Sequence, residues 1–371
     1  MVERRSVFFI SGYDPRGYRF YRNLFFRESR KQAEVAGYGI ETENISRNHW
    51  RIEFCEEEKK TVTDYHFLDY TDLILSEWSR NELALFRDFI GFYSNMLLTP
   101  MGWRCMKHNP PSVIAASYPI MVSAILFLLL AVLITLIFSF SPLSVLLNAG
   151  IVVGVFMLLI IAGRMIDKKL NHYWILRSIA FLGADRYESN PLFEKNMQSF
   201  LDSIEQSVDE EKPDEVLIIG HSVGSALAIE VAHELLERNS PIRNVCLITL
   251  GACYHYKATN RKSVRFRGIV DRLMEQNQID WIDIAAYADG ASVCQVHPKI
   301  ALSGREPEKF PALPRLYHSR FFKCFSAEGY QELKKDPLRL HFQYLRATEH
   351  EGPYDYFRMV SGYRFINEIY S

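Results

Sequence analysis

Residues 214–237 read DEVLIIGHSVGSALAIEVAHELLE, so that an apolar run, the pentapeptide Gly220-His221-Ser222-Val223-Gly224 and a helical pattern follow one another without a gap. A serine hydroxyl is a weak nucleophile until it is lifted clear of its surroundings and set beside a base. The spacing supplies the first condition. A serine in a tight strand-to-helix turn is held in a strained conformation, and glycines two residues to either side let strand and helix approach without a Cβ clash. The N-terminus of the following helix favours negative charge near the hydroxyl. The chemistry implied is nucleophilic attack by Ser222, with Gly220 and Gly224 permitting the turn and His221 shaping it.

The elements that must hold this turn are legible on both sides of it. The run at 215–219 predicts a buried strand, 224–238 a helix, and NVCLITL at 244–250 another strand, with QIDWIDIAAYADG supplying a further one. NPLFEKNMQSFLDSIEQSVDEE reads as an amphipathic helix before them. Nearer the N-terminus, SVFFISGYDPRGYRFYRNLFF gives a short strand, a Gly/Asp/Pro turn and aromatic and arginine residues at helical spacing. AGYGIETENIS and WRIEFCEEEKKTVTDYHFLDY alternate as two or three strands, and SEWSRNELALFRDFIGFYSNML reads as a helix. Alternating strands and helices predict an α/β fold, a mostly parallel sheet with helices on both faces.

Composition narrows the field. The 371 residues are 48% hydrophobic and 23% charged, with a formal net charge of −1, so nothing global draws the chain to nucleic acid. The six cysteines form no CxxC pair and read as reduced thiols. MVERRSVFFISGYD has an apolar run too short for a signal-peptide core. Histidines are dispersed, with no HExxH and no phosphate-binding glycine loop, so neither a metal site nor a cofactor is expected.

From Asn109 to Gly163 there is no Asp, Glu, Lys or Arg, and the stretch divides at SFSPLS into apolar segments over roughly 112–140 and 143–163. Each reaches the ~20 residues a helix needs to cross a bilayer, which predicts a transmembrane helical hairpin at 109–166 with the lipid bilayer as its partner. Arg104 and Lys107 precede it and Arg164, Lys168 and Lys169 close it, so the positive-inside rule places both termini and the catalytic domain in the cytoplasm. Gly150 and Gly154 have a spacing that lets helices pack closely. The remaining pieces, 1–108 and 167–371, then fold together as one domain interrupted by the hairpin.

With its GHSVG pentapeptide between strand and helix, the chain resembles the lipase- and esterase-like members of the α/β-hydrolase superfamily. The specific motif is those five residues; the rest of the resemblance is architectural. It implies a triad in the order Ser, Asp or Glu, His, in which a neutral imidazole takes the serine proton and a carboxylate fixes the tautomer of that imidazole. Asp289, past a strand and before a glycine, is the preferred acid, with Asp283 inside the strand as the alternative and Asp280 at its start. His341 in LRLHFQYLRA is the preferred base, with His350 in a polar Gly/Pro loop as the alternative; His297 and His318 read as surface or packing residues. The oxyanion hole implied would use the Val223 N–H and a second N–H from the first strand-to-helix loop, assigned to Tyr13 after Gly12, where Ser11-Gly12 replaces the family's usual His-Gly. Asp14 and Arg16 in that loop are placed to meet a polar head group.

Two classes follow. The first is a membrane-anchored serine hydrolase that cleaves an ester, of a lipidic or acylated substrate, through an acyl-serine. The second is an inactive scaffold of the same fold that uses the hairpin for assembly. The oligomeric state, the acyl and leaving groups, and hydrolysis versus acyl transfer to an alcohol stay open at this point.

Overall fold

The computed structural model describes residues 1–370 apart from 79–86, 88–89, 95–98, 142, 171, 184–186, 239–241 and 305. Among the described residues there are eight strands: β1 (Arg4–Ile10), β2 (Gly39–Ser46), β3 (His49–Glu56), β4 (Lys59–Phe67), β5 (Glu215–His221), β6 (Val245–Leu250), β7 (Ile279–Ala285) and β8 (Arg315–His318). They form one sheet in the order β2-β3-β4-β1-β5-β6-β7-β8. Neighbours from β4 through β8 run parallel, while β2, β3 and β4 form an antiparallel meander at one edge. The fold is thus α/β with a mixed, mostly parallel sheet.

Helices follow in the order α1 (Gly17–Ala36), α2 (Thr71–Trp78), α3 (Pro100–His108), α4 (Pro110–Phe140), α5 (Val145–Leu170), α6 (His172–Gly183) and α7 (Pro191–Glu211). After the strand-to-helix turn at Ser222, the elbow, come α8 (Gly224–Glu237), α9 (Tyr254–Ala258), α10 (Val264–Glu275), α11 (Pro298–Ser303), α12 (Ala327–Lys335), α13 (Pro337–His341), α14 (Tyr356–Ser361) and α15 (Ile366–Ile369). The helix expected over SEWSRNELALFRDFIGFYSNML lies mostly outside the described residues; its start falls in α2.

Each face of the sheet carries its own core. Successive side chains of a strand point to opposite faces, and Phe8 belongs to one core with Phe200, Ile204, Val231 and Phe266 while Phe9 belongs to the other with Leu24, Phe25, Tyr356 and Phe357. Every residue of β5 and β6 is buried, which is why their sequences run apolar without alternation. The outermost strand β2, GIETENIS, is largely exposed and carries glutamates, which discourage pairing with another edge. Because β1 pairs with β5 from Arg5↔Glu215 to Ile10↔Gly220, residues from before and after the α4–α5 hairpin share one sheet.

The hairpin requires a correction. Helices α4 and α5 do occupy the uncharged stretch and pack on each other, but some of their residues fall outside the description, and among the described residues no helix is long and apolar enough to cross a membrane. That finding overturns the expected two-span integral-membrane placement and, with it, the cytoplasmic assignment of the termini and catalytic domain. A run without charge defines the composition of a segment and not its surroundings. Here the run is broken by Pro119, Ser123, Thr135 and Asn148, and its second helix continues through Arg164, Asp167, Lys168 and Lys169 to Leu170. The base of the hairpin is tied to the domain, since Asn109 Nδ2 donates to Ser292 O at 3.2 Å and Tyr256 Oη to Ser112 O at 3.5 Å. Exposed apolar side chains, among them Phe127, Leu128, Leu146 and Leu158, concentrate on its two helices. Among the described residues a Cβ on Gly150 or Gly154 would meet nothing within 4 Å, so neither marks a close helix contact there.

Candidate active site

β5 ends in the elbow and α8 begins at its far side. Ser222 has φ 56°, a left-handed conformation that costs a non-glycine residue of order 1–3 kcal/mol and persists only when its surroundings impose it. Here they do. Ser222 N–H donates to Leu250 O at 2.9 Å, and Ser225 N–H donates to Ser222 O at 3.1 Å. A Cβ on Gly220 would lie 2.6 Å from Gly224 O and 2.7 Å from Ala228 Cβ, and one on Gly224 would meet the backbone of Ile10 and Ser11. Both glycines are therefore required by close approach, one to α8 and the other to the end of β1.

Asp289 lies in the loop after β7 and His341 is the last residue of α13. His341 Nδ1 stands 2.9 Å from Asp289 Oδ2. Asp289 is buried, and burial alone would raise its pKa. The facing His341, that hydrogen bond, the Ala291 N–H at 3.1 Å and Ser292 together hold it below the ordinary carboxylate value. An ionised carboxylate only accepts, so Nδ1 carries the proton and Nε2 presents its lone pair. Tyr344, three residues beyond His341, donates from its hydroxyl to Asp289 Oδ2 at 3.1 Å and accepts the Ala286 N–H at 2.8 Å.

His221 braces this pair from behind. Its Nε2–H donates to His341 O at 3.0 Å, and its ring centroid lies 4.9 Å from that of His341. Burial, followed by the proximity of His341, depresses its pKa to about 3, so it stays neutral and does not compete as a base. Ser222 Oγ itself contacts Cys253 Sγ at 3.7 Å and makes no hydrogen bond to His341 in this arrangement. Catalytic hydrogen bonds are often open before substrate binds.

The first strand-to-helix loop forms the wall opposite. A methyl group on Gly12 would lie 3.1 Å from Ser222 Cβ and 3.4 Å from its Oγ, so only glycine lets this backbone come so near the hydroxyl. Tyr70 Oη donates to Ser11 O at 2.8 Å and to Gly12 O at 2.9 Å, and Trp174 Nε1 donates to Tyr13 O at 2.5 Å. These clamps fix the loop at Tyr13, while Val223 N–H, at the start of α8, has no partner among the described residues. Arg16 is occupied within the loop: its guanidinium bonds Asp14 through Nε at 2.8 Å and Nη2 at 2.6 Å and lies 3.6 Å from the Phe20 ring centroid.

The alternatives separate clearly. Asp283 is buried within β7, and burial pushes its pKa up to about 7, with hydrogen bonding from Tyr254 and Thr249 partly opposing. Its side-chain neighbours are Tyr254 and Thr249, not His341. Asp280 pairs with Arg315 at 3.2 Å. His350 is exposed, and its backbone is held by Thr348 and Cys324. His297 caps α11, and His318, the last residue of β8, lies with Nδ1 2.8 Å from the Arg320 N–H and Nε2 3.2 Å from the Tyr287 N–H, of which a neutral imidazole accepts one. Tyr344, Trp174, Tyr70 and Cys253 were not foreseen. Only Tyr344, one helical turn from His341, had a local signal; the others arrive from distant segments.

The chain matches no protein-family model, no curated protein and no solved structure to which it was compared.

Proposed function

We propose that this chain is a serine hydrolase of the α/β-hydrolase type, cleaving an ester through an acyl-serine intermediate. The observation that carries the reading is the His341–Asp289 pair, closed at 2.9 Å beside a serine held at φ 56°. Ser222 Oγ attacks the carbonyl carbon as its proton passes to His341 Nε2, and the tetrahedral oxyanion is received by the Val223 and Tyr13 N–H groups. Collapse breaks the ester C–O bond, and the proton on Nε2 leaves with the alcohol. Water, deprotonated by the same nitrogen, then attacks the acyl-serine and returns the free hydroxyl. Asp289 stays ionised throughout and stabilises the imidazolium.

The surroundings favour an apolar substrate portion. Tyr13 packs against Trp78 and Phe181, and Trp174 stands between Tyr13 O and the Phe342 ring, so the rim of the site is aromatic. The test is hydrolysis of p-nitrophenyl esters of increasing acyl length by the full chain, with mass spectrometry of the quenched reaction. A mass increment of one acyl group on the peptide containing Ser222 supports the reading. Ester turnover that survives Ser222→Ala unchanged, with no acylated peptide, removes it.

A further inference from the structure

On the far side of the sheet from β6–β8, the β3–β4 hairpin and the end of α7 assemble a second cluster that the proposed hydrolysis does not use. The hairpin register pairs His49 with His66, and Glu56 with Lys59 at the turn, so both imidazoles fall on the same face. Their rings stack at 4.2 Å with an interplanar angle of 16°, and Phe8 packs on His66 at 4.9 Å. Glu211, the last residue of α7, comes over this face, with Oε1 3.6 Å from His66 Nε2. One nitrogen of each histidine and one oxygen of Glu211 lie within 4.8 Å of one another.

Three features separate this arrangement from a chance ion pair. First, the donor atoms are held from outside: His49 Nε2 meets Asp64 Oδ1 at 3.1 Å, a carboxylate–histidine pair, while Ser6 Oγ and Ser207 Oγ each donate to Glu211 Oε2 at 2.9 Å. Such outer partners orient ligands in metal sites. Second, the charge is unbalanced. Asp64 is met by Arg51 at 2.8 Å and Arg4 at 3.5 Å, whereas Glu211 has no Arg or Lys partner among the described residues and sits at a helix C-terminus, where the dipole favours a cation. Third, the three side chains are only 12–17% exposed, so they are partly withdrawn from water yet reachable. A tetrahedral zinc ion needs donors roughly 3.3 Å apart, which side-chain rotations of about 1–1.5 Å would supply.

We propose that His49, His66 and Glu211 bind one divalent transition-metal cation of the zinc class. The His₂-carboxylate donor set leaves a fourth position for water. The ion would tie the C-terminal end of α7 to the β3–β4 hairpin. It lies two strands from β5, so it acts on the stability of that half of the sheet and not on the reacting atoms.

The test uses the full chain, stripped with a chelator and dialysed, titrated with Zn²⁺ against a chromophoric competitor and separately with Co²⁺. The expected result is one equivalent of tight Zn²⁺, a Co²⁺ visible spectrum of tetrahedral intensity, and a Tm several degrees higher with Zn²⁺. His66→Gln and Glu211→Gln should each weaken binding by tenfold or more and abolish the zinc-dependent rise in Tm. Glu211→Gln keeps an oxygen for the Ser6 and Ser207 hydroxyls and serves if His66→Gln does not fold. Zinc affinity and Tm response equal in wild type and in a folded variant would overturn the proposal.

Discussion

His341 Nδ1 and Asp289 Oδ2 meet at 2.9 Å although 52 residues separate them in the chain. The contact joins the loop after β7 to the end of α13 and brings one candidate acid against one candidate base. If it orients the base, Asp289→Asn should lower kcat by about 10⁴-fold with KM little changed, since the amide reverses the tautomer that leaves Nε2 free. Asp283→Asn and His350→Gln should stay within a few-fold of wild type. Steady-state ester kinetics on the three variants check this, and a larger loss from Asp283→Asn than from Asp289→Asn would reverse the assignment.

Gly12 carries a second prediction. Its backbone comes so near Ser222 that an added methyl group would stand 3.1 Å from Ser222 Cβ, and it precedes the proposed second oxyanion donor. Gly12→Ala should therefore displace the loop by a fraction of an ångström and reduce kcat/KM by about 10²-fold, with Tm close to wild type. Thermal unfolding alongside kinetics separates this from a folding defect; an unimpaired kcat/KM would take the loop out of the site.

In the proposed mechanism Tyr344 is a positioning residue for Asp289. Tyr344→Phe removes the hydroxyl that donates to Asp289 at 3.1 Å and accepts from Ala286 at 2.8 Å. With one of its stabilising donors gone, the Asp289 carboxylate binds a proton more readily. The acid limb of the kcat/KM–pH profile should move to higher pH, with a loss of about tenfold at neutral pH. A uniform drop at all pH values would indicate a packing role alone.

Stability should depend on pH in two opposed ways. Burial pushes Asp283 up to about 7 from its ordinary 3.8, so the folded chain keeps a proton that the unfolded chain releases, and stability falls as pH rises from about 4 to 7. Burial depresses His255 to about 3 from 6.5, so the unfolded chain takes up a proton that the folded chain refuses, and stability falls as pH drops from 6.5 towards 3. Each proton contributes a slope of about 1.4 kcal/mol per pH unit within its window. Urea unfolding at several pH values should show Asp283→Asn losing the first slope and His255→Gln the second. Profiles parallel to wild type would show that these groups titrate as they do in the unfolded chain.

What the chain reveals before folding depends on whether the determining contacts are local. The elbow was legible because strand, turn and helix are consecutive and each glycine has a steric reason within a few residues. Asp289 and His341 were legible as members of short sets, but choosing them needed the loop after β7 and the end of α13 in three dimensions. The zinc-class cluster was missed because His49 and His66 meet through the register of a hairpin and Glu211 through the docking of a helix; no short-range spacing reports either. The membrane placement expected for the hairpin at 109–166 failed in another way. The absence of charge was read as an environment, whereas it is a property of the residues themselves.

If His341 activates Ser222, reaction of the serine with a fluorophosphonate reports it without the need of a known substrate. The full wild-type chain should be labelled stoichiometrically on Ser222 and the Ser222→Ala chain not at all. His341→Gln should slow labelling by at least 10³-fold while His350→Gln leaves it unchanged. Well-folded wild-type protein that takes up no probe, or labelling that persists in His341→Gln, would contradict the account.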